Sequence, residues 1–301
     1  MKPAAILVML MAVAAFGQTQ PGTAPATPPA TQSQPAAQPQ TGQPATGQPA
    51  TPVKRPLQAK TQPEYDAYNA AHAKLNDAAA MDAAANDFAS KFPDSELRVL
   101  LYRDAMHAYQ RDNNGDKMLE MGRQVLKLDA DDPEAMIAVA EVLTERTRDT
   151  DLDKDQKLDE AVKLAQHALE TVDTISAPVG VAPEQLETYK KFLVSSAYAI
   201  IGTQQYNKEN FKDAEVSFRK SIDAYPSQPD PIVVLRLALA LDKQGKYPEA
   251  LKEVNKAVDL TSTQAGSSVA TYAKQERDRL IQLTGGTPAP KATGQPAPPK
   301  N

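Results

Sequence analysis

Apolar residues recur at helical spacing through the middle of the chain, from about residue 61 to residue 284. They stand at positions i, i+3, i+4 and i+7, and Ala, Leu, Lys, Glu and Gln dominate between them. The sequence of this stretch lacks the sustained apolar–polar alternation with β-branched and aromatic residues that is typical of strands. The pattern therefore predicts an all-α fold.

One residue pattern occurs twice in the second half of the chain, 36 residues apart. The first copy consists of Tyr198, Ile201, Gly202, Gln205, Phe211, Ala214, Phe218, Ser221 and Pro226, and the second of Val234, Leu237, Ala238, Leu241, Gly245, Tyr247, Ala250, Val254 and Ala257. The spacing resembles that of the tetratricopeptide repeat (TPR), a pair of antiparallel helices. Small residues such as Gly202 and Ala214 would let the paired helices approach closely.

Weaker matches to the same repeat spacing occur upstream, in units that begin near Tyr65, Tyr102 and Met136. In the second of these units Gly122 takes the aromatic position, which predicts looser packing there. Pro183 is expected to begin an unusually long helix. The small-residue loop at 171–182 before it leaves two arrangements open, a continuous array and one that bends or divides.

The TPR resemblance implies a right-handed superhelix, or α-solenoid, over residues 61–284. It would contain about five helical hairpins and a C-terminal capping helix at about 267–284, since repeat arrays need a polar-backed end. Disordered tails would flank this domain.

Both ends of the chain differ in composition from the middle. Met1 and Lys2 precede 13 apolar residues, which predicts a cleaved export signal at 1–17, because about 20 Å of helix is too short to span a bilayer. Sixteen of the 25 prolines lie in 1–56 and 285–301, so 18–60 and 285–301 are expected to be a disordered linker and tail. We therefore expect an exported protein, either periplasmic, associated with the cell envelope, or secreted, with no membrane span in the mature chain.

Charge and cysteine content exclude several kinds of ligand and site. All 38 acids but only 27 of the 33 bases lie between Glu64 and Thr284, so this segment carries a charge of −11 and should repel nucleic acid and anionic lipid. The chain has no Cys, which excludes disulfides and thiolate metal sites.

No enzymatic motif stands out in the sequence, and we predict no catalytic residues and no cofactor. His72, His107 and His167 lack metal-ligand spacing. An insertion of about nine residues matches the oxygen-ligand spacing of an EF-hand calcium loop at Asp149, Asp151, Asp153, Asp155 and Glu160. Lys154 replaces the glycine of that loop, which favours a solvated acidic segment over a calcium site.

If the resemblance holds, the first helix of each hairpin lines a concave groove. By spacing, the groove residues are Arg103, His107, Gln110, Arg111, Glu141, Glu145, Thr203, Tyr206, Asn207, Arg236, Asp242 and Lys243. Glu141 and Glu145 argue against the clamping of a terminal carboxylate.

The leading functional hypothesis is a non-catalytic TPR scaffold that binds a peptide segment or partner protein in the cell envelope. The alternatives are a structural spacer or assembly subunit of an envelope complex and, less favoured, a calcium-responsive regulator.

Overall fold

The computed structural model describes residues 57–148, 150–176, 180–264 and 266–285. Within these residues it contains α-helices and two short 3-10 turns, and no strand. The helices are α1 (Gln62–His72), α2 (Ala78–Lys91), α3 (Arg98–Arg111), α4 (Gly115–Leu128), α5 (Pro133–Arg146), α6 (Lys154–Thr171), α7 (Pro183–Asn207), α8 (Phe211–Ala224), α9 (Pro231–Lys243), α10 (Tyr247–Leu260) and α11 (Ser268–Leu283).

Local chemistry explains where α5 and α9 begin. Pro133 and Pro231 open α5 and α9, at a position where the missing N–H costs nothing. Each follows an aspartate whose side chain accepts a backbone N–H of the first turn. In the second copy of the repeated pattern the chain turns between α9 and α10 at Gly245, whose φ of 73° is a conformation that glycine adopts readily.

Consecutive helices pack as hairpins, in the order α1–α2, α3–α4, α5–α6, α7–α8 and α9–α10. The last helix, α11, packs on α10 and α9. The predicted five hairpins and capping helix are confirmed, and with them the all-α solenoid.

The odd-numbered helices form one layer of the array. Besides their hairpin partners, α1 contacts α3, α5 contacts α7, α7 contacts α9, and α9 contacts α11. Such contacts between alternate helices mark the side on which the repeats lie closest together. We call this layer the inner face and the even-numbered helices α2 to α10 the outer layer.

Two glycines show how tightly the hairpins pack. A Cβ on Gly202 would lie 2.8 Å from the Phe218 ring of α8, so the prediction of a close helix approach is correct. A Cβ on Gly122 would lie 2.8 Å from Cγ2 of Val139 in α5. The expectation of loose packing at Gly122 is therefore wrong, because a side chain of the next repeat occupies the space that the aromatic residue would fill.

The long helix α7 joins the two halves of the array. Its residues Leu193, Ala197 and Ile200 belong to the core around α5 and α6, while Ala199 and Tyr206 pack against the core around α8 to α10. The array is continuous across the 171–182 segment, of which residues 177–179 are outside the described ranges.

The predicted signal segment, most of the linker and nearly all of the C-terminal tail lie outside the described residues. The described end of the linker lies against the first hairpin, where Ala59 packs on the core and Lys60 Nζ donates to the Asp94 carbonyl over 2.7 Å. In the described ranges, no helix has the length and apolar character needed to cross a membrane.

Candidate binding site on the inner helices

Side chains link successive inner helices along the whole array. From N- to C-terminus the linked pairs are His72 with Asp104, Arg103 with Asp132, Tyr189 with Glu134, Arg236 with Thr203, and Arg279 with Asp242. Polar contacts therefore join the inner helices over the full length of the array, and the charge balance differs from one region to the next.

A cluster of charged and polar residues joins α3, α5 and α7. Arg103 pairs with Asp132, and its guanidinium lies 4.0 Å from Glu134. Glu134 also lies 3.0 Å from His107 Nε2 and accepts the Tyr189 hydroxyl over 2.9 Å. We call these five residues the satisfied cluster, because each carboxylate has cationic or hydroxyl partners.

The pKa values in the satisfied cluster follow from these contacts. Burial raises the pKa of Glu134, but the charge of Arg103 and the hydrogen bond with His107 outweigh it and lower the pKa to about 2. Burial pulls the pKa of His107 down, while Glu134 raises it to a value above the usual one. Glu134 is therefore ionised at neutral pH, and His107 binds a proton more readily than an unperturbed histidine.

The middle of the inner face has a different charge balance. Glu141 is half-buried on α5, Glu145 is exposed one turn later, and Asp230 is exposed at the start of α9. Burial and the nearby charge of Glu145 raise the pKa of Glu141 to about 7, a hydrogen bond with Ser196 of α7 opposes this, and Asp230 adds to it. We call Glu141, Glu145 and Asp230 the acidic centre.

Arg236 of α9 interacts electrostatically with two residues of the acidic centre. It attracts Asp230 and Glu145, yet it forms no ion pair within 4 Å anywhere in the described part of the chain. Its guanidinium donates to Thr203 Oγ1 over 2.9 Å, and burial lowers its pKa. The hydrogen bond of Arg236 is therefore made to a neutral hydroxyl, and not to a carboxylate of the acidic centre.

At the C-terminal end of the inner face the charges are matched again. Arg279 of α11 pairs with Asp242 and lies 2.8 Å from Glu276. Tyr206 packs edge-on against Phe211, with ring centroids 5.3 Å apart. Thr203 is buried, and its hydroxyl donates to the Ala199 carbonyl.

The remaining predicted groove residues are not brought into one site. Gln110 lies 3.5 Å from His107, and Arg111 donates to the Leu75 carbonyl between α1 and α2. Asn207 and Lys243 are exposed at the last residues of α7 and α9.

Arg103, predicted to line the groove, lies on α3 and is held within the protein by Asp132 and Glu134. Sequence reasoning also missed Tyr189 and Asp230. One signal was present: the dipeptide Asp-Pro occurs at both 132–133 and 230–231, where it opens an inner helix.

Three of the five residues of the calcium-like pattern, Asp151, Asp153 and Glu160, contact cationic side chains of the protein. Helix α6 already begins at Lys154, Asp151 and Asp153 lie 3.6 and 2.9 Å from Lys157 Nζ, and Glu160 pairs with Arg123 over 3.1 Å. Asp155 lies in the first turn of α6, and Asp149 is outside the described residues. Over the described ranges, no group of three or more His, Asp or Glu residues is placed to hold a metal ion.

Each histidine has a carboxylate partner. His72 lies 2.8 Å from Asp104, and His167 lies 2.8 Å from Asp131. These pairs, like His107 with Glu134, join residues about 30 positions apart and so fix neighbouring repeats to each other.

Comparison with known proteins places the chain by fold alone. No family model matches it, and no curated protein matches it. Among solved structures it is similar to PilW, a widely conserved type IV pilus biogenesis factor, with 16% identity, 74% of this chain and 99% of that chain covered, and a TM-score of 0.44. It is also similar to the MamA protein (15% identity, 69% and 97% covered, TM-score 0.43) and to a thermophilic TPR protein of Thermus thermophilus (15% identity, 73% and 98% covered, TM-score 0.37). This is a similarity of helical-repeat fold, and no function is inferred from it.

Proposed function

We propose that this chain is a non-catalytic TPR scaffold of the cell envelope that binds a peptide segment or a partner protein along its inner face. The observation that carries the proposal is the continuous inner layer of α1, α3, α5, α7, α9 and α11, which presents polar side chains over its full length. A long surface of fixed shape suits an extended ligand better than a small substrate.

The envelope location rests on the sequence of residues 1–17, which has the charge and apolar run of an export signal. We expect the mature chain in the periplasmic extract, with an N-terminus near residue 18. Recovery of the full-length chain in the cytosol would contradict this part of the proposal.

Site-specific photo-crosslinking in the native cells tests the binding function without changing the charge balance of the acidic centre. A photoreactive residue is placed at Gln110 or Asn207, on inner helices, and in matched controls at Lys163 or Lys252, on outer helices α6 and α10. We expect a protein adduct from the inner positions and none from the outer ones. Adducts from outer positions alone would favour the spacer or assembly alternative, and the absence of any adduct would also contradict the proposal.

A further inference from the structure

A groove of about 650 Å³ lies at the N-terminal end of the inner face, between α1 and the start of α3. Its apolar walls are Tyr65 and Tyr68 of α1 and Leu97 and Leu100 near the start of α3, and residues 57–62 form its third side. Tyr65 is 51% exposed. This N-terminal groove therefore presents apolar surface that the described part of the chain leaves open.

The described chain starts at the N-terminal groove and follows its edge. Leu57 lines the groove and is partly exposed. The backbone N–H of Lys60 donates to the carboxylate of buried Glu64 over 2.7 Å, and Lys60 Nζ donates to the Asp94 carbonyl over 2.7 Å. We call residues 57–60 the strap. Because these contacts fix the path of the strap, the residue before Leu57 has to lie at the edge of the groove.

The five residues before the strap match the groove in chemistry. They are Pro52, Val53, Lys54, Arg55 and Pro56. Three of them are apolar, and the two prolines have a fixed φ and so lose little conformational freedom on binding. Grooves with aromatic walls are a common binding site for extended proline-containing segments. The segment also carries two positive charges, whereas the helical-repeat domain carries −11.

Covalent attachment favours this segment over a separate ligand. Val53 is four residues from Leu57, a length that spans at most about 14 Å. A short tether of this kind gives an effective concentration in the mM range, while a free peptide pays the loss of its translational freedom. The segment 52–56 should therefore bind even if its intrinsic affinity is modest.

The two ends of the array differ in how they are covered. At the C-terminal end, α11 packs on α10 and α9. Repeat arrays need such a covering at both ends, because the terminal repeat has a neighbour on one side only. At the N-terminal end, the described residues beyond α1 supply only the short strap.

We propose that residues 52–56 of this chain bind in its own N-terminal groove. Pro52 and Val53 would pack against Tyr65 and Leu100, so that the segment covers the first hairpin as α11 covers the last one. The inference goes beyond the proposed function, because it assigns part of the linker to the array itself. A partner would then bind on the inner face outside the N-terminal groove.

Disulfide trapping tests the inference, because the chain has no cysteine of its own. The groove pair is Val53→Cys with Leu100→Cys, and the control pair is Val53→Cys with Asp66→Cys, an exposed position of α1 beside Tyr65. Both pairs have the same tether, so a segment that does not bind should form both disulfides at similar rates. We expect the groove pair to form its intramolecular disulfide at least about tenfold faster, since binding holds the two Cα atoms within bonding distance.

A change in the groove wall separates binding from mere proximity. Tyr65→Ser is added to the groove pair, and Tyr272→Ser, at an exposed tyrosine of α11 at the other end of the array, is the matched control. We expect Tyr65→Ser to slow disulfide formation at least about fivefold and Tyr272→Ser to leave the rate unchanged. Melting curves verify that both variants remain folded.

Four outcomes would overturn the inference. Equal rates for the groove pair and the control pair would mean that only the tether brings the cysteines together. Disulfide-linked dimers of the groove pair would mean that the groove binds the linker of a second copy. An unchanged rate in Tyr65→Ser, or no disulfide from the groove pair, would mean that the groove does not hold the segment. The crosslinking from Gln110 and Asn207 is independent of these results, so a failure here leaves the proposed function to be judged by its own experiment.

Discussion

The satisfied cluster and the acidic centre lie on the same face and share helix α5, and each contains an aspartate that caps an inner helix, Asp132 at α5 and Asp230 at α9. Asp132 has Arg103 within contact, and Asp230 has no cation within 4 Å among the described residues. The helix start is decided by the local dipeptide, while the charge balance is decided by a side chain about 30 residues earlier. One repeated surface can therefore contain a region whose charges are paired within the chain and a region whose carboxylates have no cation in contact among the described residues.

The largest effect is expected from Arg103→Ala, which would make the satisfied cluster resemble the acidic centre. Removing one partner of a buried ion pair leaves uncompensated charge, here on Asp132 and Glu134, and we expect a loss of about 3–5 kcal/mol in the free energy of unfolding. Urea unfolding at pH 7 measures it. A loss below about 1 kcal/mol, the range of an exposed pair, would show that the cluster does not stabilise the array.

Tyr189→Phe probes the link between α5 and α7 in the same cluster. The hydroxyl of Tyr189 donates to the ionised Glu134 over 2.9 Å, and a hydrogen bond to a charged group contributes about 1.5–3 kcal/mol. We expect a destabilisation of that size in urea unfolding. Tyr272→Phe, at an exposed tyrosine of α11, is the control and should change nothing measurable.

Glu141→Gln should raise the free energy of unfolding above neutral pH, whereas the two preceding substitutions lower it. The pKa of Glu141 is about 7 in the folded chain, above its ordinary value of 4.5, so the folded chain keeps a proton that the unfolded chain releases in this range. Its contribution to stability therefore falls as the pH rises from about 4.5 to 7, and glutamine abolishes that fall. We expect the variant to exceed the wild type by roughly 1–3 kcal/mol at pH 8 and to match it at pH 4.5.

Unfolding by urea at both pH values checks this prediction. Glu120→Gln on α4 is the matched control, since its carboxylate pairs with Lys117 on the surface. A Glu141→Gln variant that is less stable than the wild type at pH 8 would mean that a cation of the chain already neutralises the acidic centre.

The smallest effect is expected from the outer layer. Arg123 and Glu160 join α4 and α6 over 3.1 Å, but both side chains are more than 40% exposed. Water and salt screen such a pair, so we expect Arg123→Ala to change the free energy of unfolding by less than about 1 kcal/mol. A change as large as that of Arg103→Ala would remove the distinction between the inner and outer ion pairs.

The helices and their pairing could be predicted because they follow from apolar periodicity within each helix and from a spacing that repeats along the sequence. Gly202 was expected to face its sister helix, and Phe218 of that helix is the side chain it meets. At Gly122 the same reasoning failed, because the neighbour that fills the space is Val139 in the next repeat. Packing within a hairpin repeats with the sequence pattern, whereas packing between hairpins depends on which side chains happen to face each other.

The same distinction explains what could be predicted of the site. Spacing places Arg103, Glu141 and Arg236 on first helices, and the structure has all three on inner helices. Their partners depend on the register between repeats, which the pattern does not give. Whether these residues bind a partner stays a prediction, which the crosslinking from the inner helices tests.

The two oxygens of Asp132 have a consequence for how the array opens. Because one oxygen holds the first turn of α5 and the other holds α3, that turn cannot fray without also releasing the preceding hairpin. The Ala135 amide should therefore exchange its hydrogen only when two repeats open together, as part of one cooperative unit. At α9 the Asp230 side chain accepts the Ile232 N–H of its own helix and pairs with no cation of the described residues. We therefore expect the first turn of α9 to open locally while the rest of the repeat stays folded.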